Sequence, residues 1–316
     1  MEHTNPLGAF LRARREQVRP EDVGITPQGV RRVAGLRREE VAILAGISAD
    51  YYLRLERGRD RNPSQQVVGA LARVLRLDAD ARAYLEGLAA GGPRRAYGGV
   101  TSTSTGTGTG TGTAEDAPAS ERVSDSVRFL LSRMPAPAFL HGRFFDVLAA
   151  NPQAEALSPN MAPGANRLLA TFLDPAERAL YRSWDTEVVG MVAQLRASVG
   201  PFDPDPRLAG LVDELSQRSE VFHSLWARHD VSRADSVRSP MHHPQAGDLD
   251  LYRDKLNING VEGQVMVVYH AEPGSESQRK LDELTGRATE NAGPTGTTGT
   301  TGAAGTPTTA HGGART

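Results

Sequence analysis

The chain of 316 residues contains no cysteine, which excludes disulfides, thiolate metal sites and cysteine nucleophiles. No apolar run approaches the roughly 20 residues that a membrane-spanning helix needs. The first residues also lack the charged-then-apolar pattern of a signal peptide. From these absences we expect a cytoplasmic protein with no membrane partner.

Lysine is nearly absent, since Lys255 and Lys280 are the only two in the chain, and arginine therefore carries almost all of the positive charge. The charge is unevenly distributed. Residues 1–77 contain fourteen arginines against nine acidic residues, whereas the whole chain has a net charge of -2. A basic module on an otherwise acidic chain favours a polyanionic partner for that module.

Two segments have too few apolar side chains to form a core. Residues 91–120 and 285–316 are rich in glycine and threonine, and burial within them cannot offset the entropy lost on ordering. We predict a flexible linker at 91–120 and a disordered tail at 285–316. Two candidate domains remain, at 5–90 and 121–284.

Apolar spacing and capping residues predict an all-α first domain of five short helices. The first helix carries an apolar stripe from Leu7 to Val18. The other predicted boundaries are Arg38 to Gly46, Ser48 to Gly58, a start at Asn62-Pro63-Ser64, and a start at Asp78.

The second domain has a mixed pattern that predicts an α+β fold. The expected helices are 122–134, 152–158, 165–173, 175–199, 205–218 and 220–229. The expected strands are two around Gly142-Arg143, then 234–243, 247–258 and 262–271. Strands, then helices, then strands suggest an antiparallel sheet with helices packed on one face.

The segment around Gly46 predicts a helix-turn-helix. Ala42 is small enough for two helices to cross closely, and Gly46 supplies a left-handed turn between them. Ile47, Tyr52 and Leu55 are predicted to point into the bundle. The residues expected to point outward are Ser48, Ala49, Asp50, Tyr51 and Arg54. This layout is typical of a recognition helix whose first turn enters the major groove of DNA.

RREEVAILAGISADYYLRLERGRDRNPS resembles the helix-turn-helix of phage-repressor-like (XRE) regulators, and the longer stretch over 7–89 is similar to their actinobacterial MmyB-like branch. The resemblance implies a lambda-repressor-like fold. It implies phosphate contacts from Arg38, Ser48, Arg57, Arg59, Arg61 and Asn62, and base reading by Ala49, Asp50 and Arg54. It also implies a structural ion pair between Arg15 and Glu56.

The chemistry of the outward residues agrees with these roles and leaves alternatives open. Arg54 can pair bidentately with guanine, Asp50 can accept from cytosine, and Ala49 offers only a methyl contact. Alternatively, Ser48 only caps the helix, and Asp50 only interacts favourably with the positive end of the helix dipole. Tyr51 then packs against the bundle instead of facing the groove. We also hypothesise phosphate or minor-groove contacts from Arg31 and Arg32 in the loop at 19–37.

In the second domain FLHGRFFDVLAANPQAEAL, SEVFHSLWARHDV, HHPQAGDLDLYRDKL and VMVVYHAEPGS resemble the C-terminal domain of MmyB-like regulators, over about 122–275. That resemblance implies a PAS-like fold and a fatty-acid-like ligand. The candidate cavity residues are Phe139, Phe144, Leu148, Trp226, Met266 and Val268, with the polar groups Asn151, His229 and His243. Alternatively, the aromatic residues form core, Asn151 caps a helix, and His229 ends one.

We therefore expect a transcriptional regulator that binds a double-stranded DNA operator as a homodimer and senses an apolar small molecule. No catalytic residue, metal or cofactor is expected, because the sequence lacks GxSxG, HExxH, Walker and dinucleotide patterns. His242 and His243 point to opposite strand faces, so only one of them can join His229 and Asp230 in a metal site. The alternatives are an enzymatic second domain, and one that only dimerises or binds a protein partner.

Overall fold

The computed structural model describes residues 5–26, 31, 33–91, 122–200, 205–232, 236–261 and 263–291. Beyond Gly91 the predicted linker lies outside the described residues, as does the predicted tail beyond Asn291. Within the described ranges, no helix has the length and apolarity needed to cross a bilayer.

The first domain is the predicted bundle of five α-helices. They are α1 (Pro6–Gln17), α2 (Arg38–Ala45), α3 (Ala49–Glu56), α4 (Gln65–Val74) and α5 (Ala79–Ala89), with a 3₁₀ turn at Pro20–Val23. The side chains of Asn5, Ser48, Ser64 and Asp78 each accept a backbone hydrogen bond at the start of a helix. The apolar stripe predicted on α1 is buried, with Phe10 and Leu11 fully enclosed.

The turn between α2 and α3 has the predicted geometry. Gly46 has a φ of 69°, in the left-handed region that favours glycine, and it ends α2. Ala42 is buried where the two helices cross, and Ile47 N–H donates to the Ala42 carbonyl at 3.0 Å. The first turn of α3 is thereby fixed with one face turned outward from the bundle.

The second domain contains eight α-helices and five strands among its described residues. The helices are α6 (Asp125–Arg133), α7 (Pro152–Leu157), α8 (Arg167–Leu173), α9 (Pro175–Leu180), α10 (Trp184–Val199), α11 (Pro206–Arg218), α12 (Glu220–Ala227) and α13 (Glu276–Asn291). The strands are β1 (Ala138–His141), β2 (Val147–Ala150), β3 (Ser236–His243), β4 (Gly247–Asn257) and β5 (Val265–Ala271). They form one antiparallel sheet in the order β2-β1-β5-β4-β3.

Both faces of the sheet carry helices, so the prediction of helices on one face is wrong. Alternate residues of β5 explain the two layers, because successive side chains point to opposite faces of a strand. Val267 and Tyr269 face the main core, against which most of the helices pack. Met266 and Val268 pack with Leu131 of α6 on the other face of the sheet.

Two helix predictions also need correction. The segment predicted as one helix at 175–199 is divided into α9 and α10, because Tyr181 bridges to Met241 and Arg182 N–H donates to the Pro240 carbonyl at 3.1 Å. Helix α13 was not predicted, and it continues to Asn291 within the segment predicted as a tail. Its buried Leu281 and Leu284 provide only a short apolar stripe on a polar helix.

The two domains are in direct contact. Arg14 of α1 pairs with Asp230 at 2.6 Å, and Gln17 donates to the Arg228 carbonyl at 2.6 Å. Ala197 of α10 and Val231 join the apolar core of the first domain. The contact therefore combines polar and apolar groups from α1, α10 and the segment after α12.

Candidate DNA-binding and ligand-binding sites

The outward face of α3 brings the predicted base readers together. Ser48, Ala49 and Asp50 are exposed, and Tyr51 and Arg54 are half-buried beside them. The opposite face is closed, since Tyr52 and Leu55 are fully buried as predicted. Ser48 accepts a hydrogen bond from the Tyr51 N–H at 3.1 Å, so it caps α3.

Asp50, Tyr51 and Arg54 form one small cluster on this face. Arg54 donates to the Asp50 carboxylate, and its guanidinium lies 5.5 Å from the centre of the Tyr51 ring. An exposed pair of this kind contributes little stability, on the order of 0.5 kcal/mol. Arg54 and Asp50 can therefore each exchange this partner for a base edge at a small cost in free energy.

Glu56, the last residue of α3, forms ion pairs with two arginines. Its carboxylate accepts from Arg15 Nε at 2.7 Å and from Arg38 Nε at 2.6 Å. The Arg15–Glu56 pair confirms the structural prediction, and both side chains are almost fully buried. The contact with Arg38 was not predicted. It holds Arg38, at the start of α2, against the end of α3, with 43% of the Arg38 side chain still exposed.

The loop after α3 continues the positive surface. Arg57, Arg59, Arg61 and Asn62 are exposed there. Arg61 is held by a hydrogen bond from its Nε to the Gly58 carbonyl at 3.0 Å. Exposed guanidinium groups next to a recognition helix suit contacts with the phosphate backbone.

Arg31 is placed differently from the other candidate arginines. It donates two hydrogen bonds to the Glu40 carboxylate, at 2.9 and 2.8 Å, and one to the Gly35 carbonyl. The hydrogen bond from Arg31 is the main cause that lowers the pKa of Glu40. A phosphate contact from Arg31 stays a prediction, and it requires a phosphate to replace Glu40. Arg32 lies outside the described residues.

The second domain contains a small cavity of about 20 Å³, partly open to solvent, between α10 and the inner face of the sheet. Its apolar and aromatic walls are Phe139, Phe145, Tyr181, Met191, Val267 and Tyr269. The sheet register explains part of this lining, because Phe139, Val267 and Lys255 are cross-strand neighbours on β1, β5 and β4.

The polar lining of the cavity is cationic. It consists of Arg167, Arg253, Lys255 and His141, and no described carboxylate lines the space. Behind the walls Arg167 pairs with Glu177 at 2.5 Å, Arg253 pairs with Glu187, and Lys255 donates to Gln194. The buried Nε of Arg253 has no hydrogen-bond partner among the described residues. The Arg253 guanidinium is therefore only partly satisfied by Glu187, in a positively charged setting.

His141 is the neutral member of this polar set. Burial lowers its pKa to about 4, and the neighbouring cations act in the same direction. Its Nδ1 lies 2.7 Å from the Gly142 carbonyl, and its ring stacks on Phe145 with the ring centres 4.7 Å apart. The imidazole is held as part of the wall and adds no charge at neutral pH.

Comparison with known families identifies both domains. Residues 123–284 match the model of the MmyB-like transcription regulator ligand binding domain. The chain belongs to this family. Residues 6–85 match a helix-turn-helix domain model, and no curated protein matches the sequence. The protein is thus a DNA-binding transcription regulator with a ligand-binding domain, and neither family is one of enzymes.

Of the nine residues predicted to line a ligand cavity in this regulator, only Phe139 lines it. Phe144 lies under the guanidinium groups of Arg143 and Arg207, at 5.1 and 5.4 Å from its ring centre. Asn151 caps α7 and bonds the Ala138 N–H, and His243 accepts from the backbone of a turn. These three side chains hold the fold of the domain around the cavity.

Neither Trp226 nor His229 lines the cavity: Trp226 packs on the core of the second domain and stacks on Phe222, whereas His229 lies at the contact between the domains. The Arg196 guanidinium lies 3.9 Å from the centre of the Trp226 ring, and the His229 ring meets Phe10 of α1 edge-on. The cavity roles expected for Met266 and Val268 are corrected too, because both face α6. Leu148 packs with the same cluster. The sequence did not indicate which sheet face forms the cavity.

The histidines of the regulator do not assemble a metal site in the described ranges, where no cluster of three candidate ligands occurs. His242 is exposed and lies 2.6 Å from the Asp248 carboxylate, whereas His243 is buried on the other face of β3.

Proposed function

We propose that the regulator senses a slender apolar molecule with a carboxylate head, such as a fatty acid, in the cavity between α10 and the sheet. The observation that carries this proposal is the cationic lining of Arg167, Arg253 and Lys255, with no carboxylate among the described residues that line the cavity. Buried cations are costly unless an anion compensates their charge, and an anionic head group adds that compensation.

The arrangement on β4 supports this head-group assignment. Arg253 and Lys255 are two residues apart, so both side chains point to the inner face of the sheet. One carboxylate can bridge them, while Phe139, Met191 and Val267 contact an apolar chain. Because the cavity holds little more than one water, an unbranched chain, which needs the least widening of the walls, suits it better than a ring system.

The two lysines of the chain provide a matched test of this site. Lys255→Met should weaken the binding of decanoate about tenfold or more, as expected for a lost charged hydrogen bond. It should leave the weaker binding of 1-decanol unchanged. Lys280→Met, which removes a half-buried charge that pairs with Glu276 on α13, should change neither. Calorimetric titration of the purified full-length chain gives both affinities.

Equal decanoate affinity in both lysine variants would contradict the head-group assignment. If neither decanoate nor its alcohol binds the wild-type chain, the second domain is better described as one that only dimerises or binds a protein partner.

We also propose that Ala49, Asp50 and Arg54 read bases, while Arg38, Ser48, Arg57, Arg59, Arg61 and Asn62 hold phosphates. Arg54→Ala should change the preferred sequence in a selection from random DNA, because a lost base contact relaxes specificity at its position. Arg57→Ala should weaken binding to all sequences and reduce the salt slope of the affinity by about one unit. An unchanged selected sequence for Arg54→Ala would remove it from the base readers.

We further propose that the regulator binds its operator as a homodimer, with one α3 in each half-site. The argument is the small footprint of a single recognition helix, which gives useful specificity only when two half-sites combine. Sedimentation of the complex with the selected DNA tests this proposal. One chain per operator at saturation would contradict it.

A further inference from the structure

Arg196 of α10 is enclosed by groups of its own domain beside the contact between the domains. Its guanidinium covers the Trp226 ring at 3.9 Å, and one Nη donates to the Trp226 carbonyl at 2.5 Å. Its other Nη lies 3.2 Å from His229 Nδ1. Burial raises the pKa of the Tyr84 hydroxyl on α5, and the charge of Arg196 opposes that rise. Arg196 is almost fully buried, so its charge lies next to the first domain.

The residues next to Arg196 extend the contact into the first domain. His229 has a φ of 55°, a strained backbone for a residue other than glycine, and its ring meets Phe10 with centres 6.4 Å apart. Asp230 then pairs with Arg14 at 2.6 Å, and both side chains are only 18% exposed. The strained turn directs His229 and Asp230 toward α1.

Helix α10 carries both the cavity wall and Arg196. On one side Met191 lines the cavity, Gln194 accepts from Lys255, and Glu187 pairs with Arg253. Arg196 and Ala197 follow on the side that contacts the first domain. Met191 and Arg196 are only about 7 Å apart along the helix axis. A displacement of α10 at the cavity is therefore also a displacement at the domain contact.

We propose that α10 couples the cavity to the DNA-binding domain, so that a carboxylate bound by Arg253 and Lys255 loosens the contact between the domains. This inference rests on the proposed function of the cavity. Glu187 and Gln194 are polar anchors of α10 to β4, and the ligand carboxylate competes with both for the same cations. A released α10 no longer holds Arg196 against His229 or Ala197 in the core of the first domain.

Reciprocity makes this coupling testable from the opposite domain. If the ligand favours separated domains, then a change that separates the domains must also strengthen ligand binding. Arg14→Met breaks the contact from α1, far from the cavity wall. Arg12→Met is the matched control, because Arg12 forms only an exposed pair with Glu16 on the same helix. Gln17→Ala breaks a second, independent contact. The same result in both variants therefore cannot come from a folding defect of Arg14→Met alone.

The absence of cysteine allows a direct measurement of the contact. Arg73→Cys on α4 and Glu283→Cys on α13 place one dye on an exposed position of each domain of the full-length chain. Decanoate should lower energy transfer between the dyes. Arg14→Met and Gln17→Ala should each lower the energy transfer in the absence of decanoate. Both variants should also bind decanoate on the order of fivefold more tightly than the parent chain. Arg12→Met should behave as the parent chain.

The contrary outcomes separate the two proposals. If decanoate binds but leaves energy transfer unchanged, and the α1 variants bind it with the parent affinity, the coupling is overturned while the sensor function stands. If calorimetry detects no decanoate binding, the proposed function is overturned, and the ligand-driven coupling with it.

Discussion

Glu56 has a larger role than the single ion pair that the sequence resemblance implied. It accepts from the buried Arg15 and also from Arg38, which the resemblance assigned to phosphate. A single carboxylate thus joins α1, the start of α2 and the end of α3. The residue that fixes the fold of the helix-turn-helix also orients one of the arginines proposed to hold DNA.

Replacing Glu56 tests its structural role. Glu56→Ala should destabilise the first domain by about 3 to 5 kcal/mol, because it leaves the Arg15 guanidinium buried without a carboxylate. Arg57→Ala, next to it but exposed, should change the stability by less than about 0.5 kcal/mol. Thermal unfolding of both variants provides the comparison, and equal melting temperatures would contradict the structural assignment.

His141 predicts a specific dependence of stability on pH. Its pKa is about 4 in the folded domain, against about 6.5 in an unfolded chain. Between these values only the unfolded chain takes up the proton, so the stability present above about pH 7 is lost as the pH falls toward 4. From pH 7.5 to 4.5 the parent domain should lose about 2 kcal/mol more than His141→Phe, measured by urea unfolding.

The control for this measurement is His223→Phe, which replaces an exposed imidazole on α12. It should retain the pH dependence of the parent chain. If His141→Phe shows the same loss of stability as the parent chain, the imidazole is not held neutral by burial.

At the scale of elements, the sequence was most informative where a local signal fixed the structure. Gly46, Ser48 and Asp78 each mark a helix boundary that the structure confirms. The break at Tyr181 could not be seen in the same way, because it depends on pairing with Met241 on a distant strand. Helix α13 escaped prediction because its buried stripe is short and its surface is strongly polar.

Helix α6 illustrates the same limit and offers a test of the sheet's second face. Leu131 is buried against β1 and β5, whereas its neighbour Leu130 is 53% exposed. Leu131→Ala should cost about 2 to 5 kcal/mol through the cavity that it leaves. Leu130→Ala should cost less than about 0.5 kcal/mol. Similar losses in urea unfolding would show that α6 does not cover the sheet as described.

The same reasoning explains which cavity residues were predicted. Phe139 was chosen as an aromatic residue on a strand, and it does line the cavity. Arg253 and Lys255 were overlooked because a strand pattern gives no sign that charged side chains face inward. Met266 and Val268 were chosen in the wrong register, since a shift of one residue moves a side chain to the other face.

At the scale of the whole molecule, the contact between the domains changes the argument for regulation. A long glycine-rich linker cannot transmit a rigid rotation, so from the sequence any coupling had to act through dimerisation or through direct docking of the two domains. The structure provides a contact from α1 to α10 and Asp230 that does not depend on the linker. It joins residues more than two hundred positions apart, which local sequence patterns do not reveal.

The docked arrangement leaves the outward face of α3 exposed, so it is competent to bind DNA. Docking also restricts the orientation of that face relative to the second domain. In a dimer, a domain that is held in position loses less entropy on binding than a free one. A ligand that loosens the contact should therefore weaken operator binding.

The affinity of the full-length chain for its selected operator, measured by fluorescence anisotropy with and without decanoate, tests this account most directly. We predict that saturating decanoate raises the Kd for DNA on the order of fivefold in the parent chain and in Arg12→Met. In Arg14→Met the Kd should already be raised, and decanoate should change it little. An unchanged Kd in the parent chain, under conditions where calorimetry shows decanoate bound, would contradict the account.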